Sequence, residues 1–73
     1  MIKVVKAFAV LNDGYTSRKE AEKALSGWEH KEDIKEGFAI VGDDQWYNDS
    51  SFEVTFIFNT EKEAVKELKE MQG

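Results

Sequence analysis

Two short stretches, Ser17-Arg18-Lys19-Glu20 and Thr60-Glu61-Lys62-Glu63, constrain the fold more than anything else in the chain. Each matches a capping box, in which the first hydroxyl accepts a hydrogen bond from the amide three residues on and the glutamate side chain reaches back to the first amide. A helix is expected to start at each. Behind Ser17, the residues Ala21, Ala24, Leu25 and Trp28 draw one apolar stripe, and behind Thr60 the residues Ala64, Val65, Leu68 and Met71 draw another. Gly27 is the expected stop of the first helix, with Trp28 packed on its last turn. The two segments also share Lys, Glu, Ala, Lys and Leu at matching places, which either a duplicated βα unit or convergence on good helix formers explains.

Strands are expected before and between these helices. Residues 2–11 are rich in Val, Phe and Ala on both alternating faces, which suits a central strand, and Asn12-Asp13-Gly14 follows as a turn signal. Residues 37–42 read as a second strand. Residues 52–58 read as a third, with Phe52, Val54, Phe56 and Phe58 on one face as the floor of the core. The charged stretch 29–36, with Ile34 its one apolar residue, is expected to be a loop. Between strands two and three the reversal is placed at residues 48–51, with a bulge near Gly42 and Asp43, because unbroken alternation from Phe38 would point Asp44 into the core. The expected fold is therefore α+β in the order β-α-β-β-α. It is a three-stranded antiparallel sheet with both helices on the face that carries the Phe52 row, a ferredoxin-like fragment without its last strand.

The 73 residues leave room for one core, so residues 1–73 are expected to form a single domain. No cysteine is present, which excludes disulfides and thiolate metal sites, and no run approaches the length of a membrane-spanning helix. The lysines inside the first apolar run do not suit a signal peptide, so a cytoplasmic setting is expected.

Candidate chemistry is sparse. His30 is the single histidine and lies in the charged run Glu29-His30-Lys31-Glu32, where it reads as a surface residue and leaves no histidine pair for a metal. Ser17, Ser26, Ser50 and Ser51 have cap or turn roles. Asp43, Asp44, Asp49 and Glu53 miss the spacing of a calcium loop, and no glycine-rich phosphate loop is present. No catalytic residue, metal ligand or cofactor is expected. Nucleic acid is disfavoured by the net charge of −5 and by the lack of a basic residue near the phenylalanines.

The charge distribution carries the remaining signal. Between Phe38 and Thr60 there are four acids, Asp43, Asp44, Asp49 and Glu53, and no Lys or Arg. They surround Trp46 and Tyr47, residue types that supply large contact area at binding surfaces. The expected function is a small acidic, non-catalytic interaction module or inhibitor. It would bind a basic protein through this hairpin, with Trp46 and Tyr47 as anchors and Asp43, Asp44 and Asp49 as the rim. Small acidic inhibitors that mimic nucleic acid are common among phage-encoded proteins. Trp46 has a plainer role open to it as well, closing the end of the sheet over Phe52. The alternative function is a self-associating structural domain, since Val5, Ala7, Ala9, Leu11 and Ile57 form an apolar outer face that a homodimer would cover.

Overall fold

The computed structural model describes residues 1–25, 27 and 30–72. It contains five strands, β1 (Ile2–Val10), β2 (Asp13–Tyr15), β3 (Lys35–Gly42), β4 (Trp46–Asn48) and β5 (Ser51–Glu53). Two helices, α1 (Arg18–Lys23) and α2 (Glu61–Gln72), and two single 3-10 turns, Lys31–Asp33 and Asp43–Gln45, complete it. The fold is α+β, as the two helix starts and the apolar runs imply. The strands form one five-stranded sheet in the order β3-β1-β2-β5-β4 with every pairing antiparallel, in place of the three-stranded ferredoxin-like fragment.

Both helix starts lie where the capping boxes put them. Ser17 Oγ accepts from the Glu20 amide at 3.3 Å, and Thr60 Oγ1 accepts from the Glu63 amide at 3.2 Å while donating to Glu63 Oε1 at 3.0 Å. Such caps each contribute about 1 kcal/mol. The expected packing of Trp28 and the turn role of Ser26 fall outside the described residues. The stretch read as a loop holds the turn Lys31–Asp33, closed by the His30 amide donating to Asp33 Oδ2 at 2.8 Å, and β3 begins directly after Ile34.

Two corrections separate this sheet from the expected one. The first turn lies at Leu11 and Asn12, not at residues 12–14, with Leu11 in the left-handed region at φ 57. Asp13–Tyr15 then returns alongside β1, pairing Val10 with Asp13 and Phe8 with Tyr15. Gly14 serves packing rather than the turn, because a Cβ there would collide with the Phe52 ring and the Val54 side chain.

The second correction concerns residues 52–58, which do not form one continuous strand. Pairing with β2 ends after Val54, whose amide donates to the Asn12 carbonyl at 2.7 Å. The chain then crosses to the free edge of β3, where Phe38 and Phe58 exchange two backbone hydrogen bonds at 2.9 and 2.8 Å. Phe52, Val54 and Ile57 are buried, whereas Phe56 is 61% exposed and lies edge-on to Phe58. The alternating row therefore breaks where the chain changes partners.

The sheet packs both of its faces. One face holds Ala7, Ala9, Ala39, Val41, Phe52, Val54 and Ile57, with Val5 and Trp46 against them, and no helix residue belongs to this cluster. The other face packs Val10 with Ala21 of α1 and Ile34, flanked by Phe8, Tyr15 and Leu25. α2 runs over β1 and β3 and buries Ala64. The helices thus do not cover the Phe52 side. Of the apolar face expected to be covered in a homodimer, Ala7, Ala9 and Ile57 lie inside the first cluster, Val5 packs against it and Leu11 is exposed.

Candidate interaction surface on the β4–β5 hairpin

The hairpin that carries the acids is entered through a tight turn. At the end of β3 the Gly42 amide donates to Gln45 Oε1 at 2.8 Å, which closes the 3-10 turn Asp43–Gln45 and re-aims the chain into β4. The same Gln45 side chain donates through Nε2 to the Glu53 carbonyl at 3.4 Å, tying the turn to β5. Asp43 and Asp44 are left on the surface by this turn, as the bulge expected there requires. The Asp43 carboxylate pairs with the amino group of Met1.

At the far end the reversal falls at Asp49 and Ser50, within the expected 48–51. Asn48 Oδ1 accepts from the Ser50 amide at 2.8 Å and from its hydroxyl at 3.0 Å, and the Ser50 carbonyl accepts from the Thr16 amide at 3.0 Å. The tip is therefore pinned to the chain beyond β2. Asp49 projects from it, exposed.

Trp46 and Tyr47 do not share a surface. Trp46 pairs with Phe52 across the hairpin and meets its ring edge-on, with centroids 4.9 Å apart. It is half-buried and covers one end of the Phe52 cluster, with Lys3 Nζ 5.6 Å from its ring centroid. That is the sheet-closing role. The register slips between Trp46 and Asn48, so Tyr47 sits at a bulge. It is 60% exposed, on the side opposite the Phe52 ring.

Tyr47 meets a set of acids that differs from the expected one. Its phenol is pushed above the ordinary value by desolvation against the sheet, then by the charge of Asp13 and the hydrogen bond to its carboxylate, then by Glu53 and Tyr15. Asp13 and Glu53 face each other directly across the β2–β5 ladder. Like charges at such a cross-strand position are destabilising, so this pair works against the fold. Sequence reading missed Asp13 because it lies in a turn-like tripeptide. Only the pairing of β2 with β5 brings it to Glu53 and Tyr47.

His30 is exposed, as its charged surroundings imply. Among the described residues no group of three or more His, Asp or Glu side chains is placed to hold a metal ion, and no helix is long and apolar enough to cross a membrane. Comparison with protein-family models, curated proteins and solved structures finds no match.

Proposed function

We propose that this chain is a non-catalytic protein-interaction module whose β4–β5 hairpin binds a basic protein partner. The observation that carries this reading is the exposed Tyr47 ring set beside the Asp13–Glu53 pair, a like-charge arrangement that a partner's Lys or Arg would relieve. Tyr47 is the anchor. Asp13, Glu53 and Asp49 supply the charge at the hairpin face and tip, while Trp46 holds the hairpin against the core and makes no contact with the partner. Asp43 and Asp44, at the base, add to the long-range field that steers association. An inhibitor that occupies the nucleic-acid-binding surface of its target, of the kind phages encode, is the stronger form of this proposal. A cytoplasmic setting belongs to it as well.

The test is capture of partners from a lysate of the source cells with the natural chain beside a folded variant carrying Tyr47→Ala and Glu53→Lys. A basic protein held by the first and lost by the second supports the reading, and its association rate should fall as salt is raised. Identical captures by both baits, or binding indifferent to salt, would sink it.

A further inference from the structure

A second surface does not include Tyr47. A groove of about 400 Å³ opens between α2, β3 and the crossing segment after β5, a volume in the range of small-molecule sites. Its walls are apolar: Ile2 and Ile40 from the sheet, Phe56 and Phe58 from the crossing segment, and Met71 from the last turn of α2. Three of these are left substantially open to water, Ile2 at 41%, Phe56 at 61% and Met71 at 58%. Large apolar side chains gathered around one concavity mark a contact surface more often than an accident of folding.

The groove also has a charge. Glu67 of α2 forms part of the wall, and Gln45 and Thr55 are the other polar residues along it. Asp44 stands at the rim, since Asp44 Oδ1, Gln45 Oε1 and Ile2 all converge around Gly42. Beyond Glu67 the surface continues past Phe58 to Glu63, Glu70 and Lys66, so acids outnumber the one cation there. A second copy of this chain is a poor occupant, because a symmetric contact would set these acids against their own images on a protein of net charge −5.

We infer that the groove binds a small lipophilic amine, with its apolar body between Phe56, Phe58 and Met71 and its ammonium group against Glu67. The site shares no anchor with the hairpin face and stands independently of the reading proposed for Tyr47.

The experiment is a titration of the folded chain with 2-phenylethylamine and, separately, with 2-phenylethanol, followed by heteronuclear NMR. The amine is expected to shift the signals of Ile40, Phe56, Phe58 and Met71 and to bind about threefold more tightly than the alcohol, the size of a partly exposed ion pair. Phe56→Ser, at an exposed position, should weaken both ligands about tenfold through loss of the aromatic wall. Glu67→Gln should erase the difference between amine and alcohol while leaving the alcohol unchanged. Tyr47→Ala should alter neither. Equal affinity of the two ligands for the natural chain would overturn the inference. So would absence of groove shifts at low millimolar amine, or groove signals that move with protein concentration alone, the mark of a second copy in the site.

Discussion

The two faces of the sheet solve the same problem by different means. One is closed without a helix: Phe52 fills the space left by Gly14, Ala7, Ala9 and Ala39, and the crossing segment folds over it through Val54 and Ile57. The other is closed by added elements, with Ala21 of α1 and Ile34 resting on Val10 and Phe8. On the first face a single large ring is matched to residues with little or no side chain, so any change in volume is felt at once. On the second, several medium-sized side chains from separate elements share the contact, and small shifts of α1 can absorb a change. Tight closure and adaptable closure thus lie back to back across one layer of strands.

The sharpest way to break this contrast is to empty each face in turn. Phe52→Ala is expected to cost roughly 3–5 kcal/mol, and Ile34→Ala less, near 2 kcal/mol at the low end for such truncations. Urea denaturation of the two variants measures both. A larger loss at Ile34 would mean that the helix-covered face is the principal core. Overfilling tests the same point more finely. Gly14→Ala should cost about 1–3 kcal/mol because the Phe52 ring and Val54 must move. Gly42→Ala should cost less, since an added methyl there meets the Asp44 and Gln45 side-chain ends at 3.2 and 3.3 Å and the Ile2 side chain in ordinary contact at 3.6 Å.

The smallest effect belongs to the acid pair on the helix-side face of the hairpin. The Tyr47 pKa is raised from 10.0, first by desolvation and then by Asp13, so the fold favours the neutral phenol. That preference is fully present below the ordinary tyrosine value and is lost as pH climbs through the raised one. Titration of phenolate absorbance, with Tyr47→Phe identifying the signal, should show Tyr47 ionising late. Asp13→Asn should bring it back toward 10.0, and an unchanged titration in that variant would remove Asp13 from the environment of the ring.

What was legible in the chain follows the range of the forces involved. The helix starts at Ser17 and Thr60 were readable because each cap is made within four residues. The reversal at Asp49 and Ser50 was readable from alternation instead, because an unbroken strand from Phe38 would have pointed Asp44 into the core. Gly14 was misread because its reason lies in a ring nearly forty positions away, and a glycine needed for space looks like one needed for a turn. The run 52–58 was misread as one strand because alternation reports which way a side chain points and not which neighbour the backbone bonds to. Of the expected site residues, Asp43, Asp44, Asp49 and Tyr47 lie on the surface, but Trp46 turns inward to Phe52. Asp13 joins Tyr47 only through the β2–β5 register, which no local pattern encodes.

The bridge between Phe38 and Phe58 sets the timetable of synthesis. As the chain leaves the ribosome, β1 finds its near neighbour β2 within a few residues and its longer partner β3 some thirty residues later. Its Ala7–Ala9 side must then wait for Phe52, and the free edge of β3 waits for Phe58. Until residues 52–58 have emerged, the nascent chain carries an open sheet edge beside an uncovered apolar face, the combination most prone to sticking to its neighbours. α2 begins three residues beyond this bridge and lies over β1 and β3, as a clasp lies over a bracelet.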